Sequence, residues 1–590
     1  MPLSDTAASS GVPSRSRKPA AFWGGLALVA LTAGAAHAQI VPLPEPTLRS
    51  GEPPMPQEQP RRPPTAPVLP PLPPAPRREL ELGPRERVFV REVRVVGSTV
   101  FTPADFAPVV APYLNRELTS EDLDALRVAL TRVYVDRGYI NSGAVLPDQR
   151  VADGVITYKI VEGKVTEVDV DGNRWFRTGY LRRRVSLGAG TPLNVNDLQN
   201  QLRLLLEDQR IARLNADLRP GVQPGEAVLG VTVEDRQPFR LALDFDNYQS
   251  PSIGAERGIV TLEDVNLTGN GDVLTARYGR SEGLNPLLDF RYAIPVTPWD
   301  TTLAFQYRRN DYDIIEEPFR SLKIHSETEI FTASIRQPIY RTVNHDLALV
   351  LIGERLSNTT TFDDGQPFPF IPGAHNGEMI VSALRIAPEY VYRTAGQVIA
   401  ARSQFSVGLD VLGATRNDES RVPDSRFFVW LGQFQWVRRL PILDAELLFK
   451  TDIQLTSDPL LSLEQIAVGG RYSVRGYREN TLIRDKAVLT SLELRVPVIR
   501  NVVWADYVQL APFFDYGRGW NVNPDPDEER TLMSVGIGLR WALTVPAGPV
   551  AVRPSLEFYW GHQLRDLRTI KTSGDLQDSG IHFQFVLAVY

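Results

Sequence analysis

The residues with the most to offer chemically are one arginine and a few carboxylates. Arg475 lies in Gly469-Gly470-Arg471-Tyr472-Ser473-Val474-Arg475-Gly476-Tyr477, a basic, glycine-bearing stretch with the composition of a loop. Further on, Phe513-Phe514-Asp515-Tyr516-Gly517 alternates, so that Phe513 and Asp515 share one strand face while Leu510, Phe514 and Tyr516 take the other. Ser491, Glu493 and Arg495 share the polar face of the preceding stretch. A guanidinium and a carboxylate held in a confined space pair bidentately, and removing one partner strands a poorly solvated charge. That chemistry fastens; it does not turn over a substrate. His325, His345, His375, His562 and His582 are scattered without metal-ligand spacing. No Ser/His/Asp arrangement stands above chance, and nothing matches a phosphate-binding P-loop. Cysteine is absent, which excludes disulfides, thiolate metal sites and cysteine nucleophiles together. No catalytic residue, cofactor or metal is expected.

A chain of 590 residues needs several units to position these groups. Its formal net charge of -6 supplies no basic field, so nucleic acid is not an expected partner. Arg15, Arg17 and Lys18 precede an apolar run from Ala20 to Gly34, and Ala36-His37-Ala38 has the small-x-small form of a cleavage site. Residues 1–38 are therefore expected to be a signal peptide. Residues 39–87 are dense in proline, as in Pro63-Pro64, Pro70-Pro71 and Pro73-Pro74, and form a semi-rigid linker without a core. No later stretch approaches the ~18–20 uninterrupted apolar residues of a spanning helix, so any membrane crossing is by strands.

Residues 88–163 form a first α/β unit. A strand is expected through Val93–Val96, then a helix capped by Thr119 and Asp122 with Leu123, Leu126, Leu130 and Val133 on one face. Strands near Ile140–Leu146 and Val155–Val161 complete it. Residues 164–236 repeat the plan, with a strand at Val165–Val170, a helix bearing Leu198, Leu202 and Leu205, and a strand at Val228–Val233.

From 237 to 590 the period becomes two. Leu241, Leu243 and Phe245 oppose Arg240, Asp244 and Asp246; Phe405, Val407 and Leu409 oppose Arg402, Gln404 and Asp410; Leu447, Phe449 and Ile453 oppose Glu446, Lys450 and Asp452. The segments run about 9–13 residues, longer than the ~5–6 of globular sheets and close to a tilted membrane crossing. Sixteen can be counted, from 239–249 to 580–590, an even number that returns both barrel ends to one side. Trp299, Trp504, Trp541 and Trp560 near segment ends suit interfacial girdles. In the last segment His582, Gln584, Val586, Ala588 and Tyr590 form one set and Ile581, Phe583, Phe585, Leu587 and Val589 the other; either can face lipid.

Within this organisation Val474-Arg475-Gly476-Tyr477 resembles the VRGF/VRGY loop motif of the outer-membrane assembly and secretion superfamily, and Phe513-Phe514-Asp515-Tyr516-Gly517 fits its F-x-D-x-G strand motif. The two upstream repeats resemble POTRA (polypeptide-transport-associated) domains. Gly138-Tyr139-Ile140-Asn141-Ser142-Gly143-Ala144-Val145-Leu146-Pro147 is similar to the first POTRA domain of the two-partner secretion transporters of haemolysin and filamentous-haemagglutinin type. The resemblance implies a Gram-negative outer-membrane β-barrel of sixteen antiparallel strands preceded by two periplasmic POTRA-like domains. A long loop near 456–486 would fold back into the barrel, where Arg475 reaches Asp515, with Glu493 a second partner and Phe513 and Gly517 in the wall beside them. It implies a non-enzymatic translocator that recognises a secreted exoprotein in the periplasm and passes it outward unfolded. Outer-membrane lipid, periplasmic chaperones and the barrel-assembly machinery are the other expected partners. A barrel-assembly factor of the same superfamily is the first alternative and a general diffusion porin the second. Two departures stand out: 39–87 is too proline-rich for the pore-plugging helix many members carry, and the chain ends in Tyr590, not phenylalanine.

Overall fold

The computed structural model describes residues 60, 87–419, 421–526, 528–548, 550–567 and 574–590. The signal peptide expected over 1–38, and nearly all of the linker expected over 39–87 with any plug helix in it, lie outside the described residues.

The first unit contains β1 (Val88–Val90), β2 (Glu92–Val96), α1 (Pro103–Val110), β3 (Arg116–Leu118), α2 (Ser120–Val135), β4 (Gly143–Val145) and β5 (Val155–Val161). β5 is central, parallel to β2 and antiparallel to β4. α2 starts where Thr119 and Asp122 cap one another: the Asp122 N–H donates to the Thr119 hydroxyl (3.2 Å) and the Thr119 N–H to the Asp122 carboxylate (3.0 Å). Its Leu126, Leu130 and Tyr134 meet Ile156, Tyr158 and Ile160 of the sheet. α1 has no counterpart in the sequence reading. Pro103 and Pro108 obscure it, yet Pro103 suits a first turn and Asp105 accepts the Thr102 N–H (2.9 Å). Glu162 closes the unit by accepting the hydroxyl (2.5 Å) and N–H (2.7 Å) of Thr99, the hydroxyl of Tyr134 (2.9 Å) and the N–H of Val100 (3.3 Å). Burial works to raise its carboxyl pKa, but these hydrogen bonds hold it below the ordinary value.

The second unit has β6 (Lys164–Asp171), α3 (Thr178–Val185), α4 (Val195–Leu206), β7 (Ile211–Pro220) and β8 (Glu226–Asp235). β8 is parallel to β6 and antiparallel to β7, so both units share one β-α-α-β-β plan. α3, with three consecutive arginines and an apolar face of only Tyr180, Leu181 and Val185, is also new to the structure.

The barrel begins with β9 (Phe239–Asp246), β10 (Arg257–Asp264), β11 (Val273–Arg280), β12 (Leu284–Pro295) and β13 (Thr302–Asp313). It continues through β14 (His325–Arg341), β15 (His345–Thr361), β16 (Glu378–Arg393), β17 (Gln397–Leu409), β18 (Phe428–Arg439) and β19 (Glu446–Thr456). A hairpin of β20 (Ile466–Val468) and β21 (Leu482–Arg484) interrupts it before β22 (Lys486–Val502), β23 (Ala505–Trp520) and β24 (Thr531–Ala542). Short β25 (Val545–Ala547), β26 (Val550–Gln563) and β27 (Ile581–Val589) finish the chain. Sixteen of these are wall strands; each pairs antiparallel with its neighbours, and β27 closes on β9 through pairs such as Phe585 with Phe245 and Leu587 with Leu243. Closure leaves no edge that lipid would have to satisfy. Each of the sixteen segments expected from alternation falls on one of these strands.

Outward positions carry an apolar belt that includes Leu243, Phe290, Phe305, Leu351, Phe405, Phe514 and Ile537, all substantially exposed. Such a surface is stable only against hydrocarbon. In β27 the structure settles the face: Phe585 is exposed, while His582 is fully buried and the Gln584 amide donates to Asp244 inside the barrel (2.7 Å). The Ile581 to Val589 set thus looks outward, paired along the strand with the outward residues of β9.

Both barrel ends and the α/β units lie at one mouth, the near mouth. There the second unit is bolted on. Arg184 of α3 donates to Asp300 (2.6 and 3.0 Å) and to the Thr297 carbonyl (3.2 Å), with its guanidinium 3.6 Å from the Tyr180 ring. Arg210 donates to the carbonyls of Val265 (2.8 Å) and Gly271 (2.7 Å). Burial pushes the Tyr180 phenol up to about 12, so it stays protonated in this joint.

Candidate functional site: a loop fastened inside the barrel

Between β19 and β22 the chain does not stay outside. Val474, Arg475 and Tyr477 are all at most 2% exposed, which a loop in water would not be. The β20–β21 hairpin carries the turn inward. Ile466, Val468, Val474 and Leu482 of the loop pack on Ala487, Leu489 and Leu532 of the wall.

Arg475 is the centre of the tip. Its Nε and Nη2 donate to the two oxygens of Asp515 (2.7 and 2.8 Å), and its backbone N–H adds a third bond to the same carboxylate (3.0 Å). Nη1 donates to Glu493, and Nη2 also reaches the Ser491 hydroxyl (3.1 Å), which in turn donates to Asp515 (2.7 Å). The Phe513 ring lies 3.6 Å beneath the guanidinium. Asp515 and Glu493 are buried, so each lone pair lost here is expensive. Alternation placed Asp515, Ser491 and Glu493 on inward faces of β22 and β23, and the register pairs Ser491 with Asp515 and Glu493 with Phe513. Removing one partner from a buried pair of this kind costs about 3–5 kcal/mol.

Two glycines let the tip approach. Gly476 has φ +90°, and a Cβ there would lie 2.8 Å from the Gly561 carbonyl oxygen of β26. A Cβ on Gly517 would lie 2.6–2.7 Å from the methyls of Val468 and Val474. Tyr477 closes the tip with its hydroxyl between the carbonyls of Met533 (3.0 Å) and Arg565 (2.8 Å). All eight residues singled out in the sequence, Val474, Arg475, Gly476, Tyr477, Glu493, Phe513, Asp515 and Gly517, therefore meet at one seat.

Other members of the seat were not picked out from sequence. Arg471 donates to Glu557 (2.7 Å) and lies 4.0 Å from the ring of Tyr559. Arg478 bridges Asp578 and Glu316 of two far-mouth loops. Gly476 N–H points at His582 Nε2 (3.4 Å), which gives that histidine a packing role. Gly561 carried a signal, because a glycine inside a strand marks close approach by another backbone. The loop's root is held on a different wall: Arg385 of β16 takes Glu464 with both terminal nitrogens (2.6 and 3.0 Å) and Glu354 of β15 with Nε (2.7 Å). Beside it Leu460, Leu461 and Leu463 join Ile324, Phe368, Met379 and Phe427 in one buried apolar cluster.

A closed barrel with an apolar belt, α/β units at its near mouth and a loop fastened inside it defines a transmembrane β-barrel with an inward-folded loop. The chain's residues 225–541 match the family described as haemolysin secretion/activation proteins ShlB/FhaC/HecB, and the chain belongs to that family. Residues 88–163 match the ShlB-type POTRA domain. Among known proteins, the chain is 24% identical over 476 residues to the outer membrane transporter CdiB of Dickeya dadantii, covering 77% of this chain and 80% of that protein. It is 24% identical over 500 residues to the hemolysin transporter ShlB of Serratia marcescens, covering 78% and 84%. CdiB from Escherichia coli shares the fold at TM-score 0.62 with 21% identity, over 89% of this chain and 94% of that one. CdiB from Acinetobacter baumannii does so at 0.58 with 16% identity, over 98% and 100%. The barrel thus lies in the outer membrane, with the near mouth and its POTRA domains in the periplasm and the far mouth outside.

Proposed function

We propose that this chain exports a secreted partner protein across the outer membrane, receiving it unfolded in the periplasm and passing it through the barrel. The observation that carries this reading is the loop. A pore for passive diffusion has no use for a buried arginine clamp, whereas a pore that admits one class of polypeptide needs a closed resting state with a defined point of release. The free edge of an α/β unit offers backbone N–H and C=O groups to an extended segment, which gives affinity without fixed side-chain demands. The periplasm supplies no nucleotide, so folding outside the cell is what makes passage one-way. Periplasmic chaperones keep the cargo extended beforehand, and the barrel-assembly machinery inserts the transporter itself. Val474, Arg475, Gly476 and Tyr477 act as the resting latch, with Asp515, Glu493, Phe513 and Gly517 as its seat.

The test is deletion followed by mass spectrometry of the culture medium and of the outer membrane. One secreted protein, or a small related set, should vanish from the medium while other barrel proteins keep their levels. A general loss of outer-membrane barrels would instead make the chain an assembly factor. An unchanged medium with reduced uptake of small solutes would make it a porin.

A further inference from the structure

The second α/β unit carries arginines that neither its core nor its joint to the barrel uses up. Arg174, Arg177 and Arg183 lie within ten residues, at the entry to α3 and on it. All three are exposed, and none has a carboxylate partner among the described residues. We propose that this segment is a docking surface for the anionic phospholipid headgroups of the periplasmic leaflet, which pins the second unit to the membrane beside the barrel wall.

Position comes first. The Trp175 ring meets Phe239 edge-on, with ring centroids 5.7 Å apart. Phe239 is more than half exposed and shares the outward face of β9 with Leu241, Leu243 and Phe245, so Trp175 extends the lipid-facing belt at its periplasmic end. An indole at that level suits a membrane interface. The backbone holds the segment there: the Arg177 N–H donates to the Gly269 carbonyl in the β10–β11 turn (2.8 Å), and Leu267 of the same turn is half exposed. Orientation follows from α3. Leu181 and Val185 turn into the core of the unit, while Tyr180 meets Gly271 and Arg184 meets Asp300 on the barrel rim. Gly179 and Arg183 are left on the exposed flank. Charge is the third observation. Nearby carboxylates are occupied: Asp235 accepts the backbone N–H groups of Arg174, Trp175 and Phe176 (3.0, 2.7 and 2.8 Å), and Asp264 accepts that of Asn266 (2.9 Å). Elsewhere on this unit exposed arginines are neutralised, Arg219 by Asp217 (3.0 Å) and Arg213 by Glu234 (3.7 Å). Three fixed cations beside an indole at the edge of the hydrocarbon fit phosphodiester groups, which a guanidinium grips through two parallel hydrogen bonds. An acidic polypeptide would supply the charge but not the hydrocarbon against which Trp175 and Phe239 lie.

The chain has no cysteine, so Gly179→Cys gives a unique labelling site, and a Cβ there meets only the tip of Arg183 (3.8 Å). The full-length protein is placed in nanodiscs of phosphatidylethanolamine with or without added phosphatidylglycerol, each with a trace of lipid bearing a nitroxide on its headgroup. A bimane on residue 179 should be quenched strongly with phosphatidylglycerol present and several-fold less without it. A bimane at Val222→Cys, on the fully exposed β7–β8 turn, should not respond to the change of lipid. Native mass spectrometry of the unlabelled protein is the second measurement. Arg174→Gln, Arg177→Gln and Arg183→Gln together should lower phosphatidylglycerol affinity by about five-fold per arginine, while the barrel stays heat-modifiable on gels. Equal quenching at residue 179 in the two bilayers overturns the proposal, as does a triple variant that retains phosphatidylglycerol like its parent. Loss of secretion in the triple variant with lipid retention unchanged would assign the arginines to a protein partner and overturn it too.

Discussion

Two walls of one lumen use the same residue types to opposite ends. Under the loop, on β22 and β23, Glu493 and Asp515 are closed off from water by Arg475 and the ring of Phe513. On the periplasmic half of β14 to β17 the charges pair across the wall and stay partly open to the lumen: Glu389 of β16 with Arg336 of β14 and Arg402 of β17 (both 3.5 Å). An ion pair open to water contributes little, and a desolvated one is costly to break. On the proposed reading, the first wall is a fastener and the second a neutralised surface past which a chain can move.

The sharpest way to break this contrast is Arg475→Ala. It leaves Asp515 and Glu493 buried without their shared cation, and about 3–5 kcal/mol of the loop's hold should go. Single-channel conductance in planar bilayers should rise, and trypsin should gain access to Arg471 and Arg478 in the folded barrel. Replacing both sides, as Arg475→Met with Asp515→Leu, should be milder than the single change, because Asp515 is then no longer stranded and Glu493 keeps Arg495 (2.6 Å). Conductance and protease resistance unchanged in Arg475→Ala would remove the fastener from the account.

Gly561→Val asks whether the seat needs space as well as charge. Its Cβ would start 2.7 Å from Gly476 Cα, so overpacking of about 1–3 kcal/mol is expected with every ion pair chemically intact. The readout is again trypsin access to the tip, weaker than for Arg475→Ala. At the root, Glu464→Gln leaves Arg385 with Glu354 alone and should cost about 1–3 kcal/mol, loosening the far mouth while the tip stays protected. Hydrogen exchange that rises across residues 458–465 and not across 471–478 would establish that tip and root are separate holds.

Much of this was legible because the physics was local. Alternation needs only the next-but-one residue, so sixteen strands and their inward faces follow from sequence, and Arg475, Asp515 and Glu493 could be matched once the loop was taken to fold inward. The rest depends on the path of the loop. Arg385 and Glu464 are 79 positions apart and look like any inward arginine and any loop glutamate until the root is laid against β16. Glu557 was one of many lumen carboxylates, and nothing in its neighbours says that Arg471 arrives there. α1 and α3 failed for another reason: each has only eight residues, and two prolines in one and three arginines in the other mask a short apolar stripe. The Thr102–Asp105 cap helps to carry α1, whereas α3 has no side-chain cap and is held by the packing of Tyr180, Leu181 and Val185.

The smallest expected effect tests the second wall. Arg402 and Glu389 are each about a quarter exposed, and Glu389 keeps Arg336 when Arg402 is lost. Arg402→Gln should therefore change stability by only about 0–1 kcal/mol and leave the loop as resistant to trypsin as before. What it should change is the field in the lumen: with one cation gone from an open wall, reversal potentials in a salt gradient should shift toward cation preference. If Arg402→Gln instead loosened the loop as Arg475→Ala does, the two walls would be one coupled network and the division between fastener and passage would fail. If selectivity did not move either, Arg402 would lie off the conducting path, and the passage would have to run closer to the loop than its paired charges suggest.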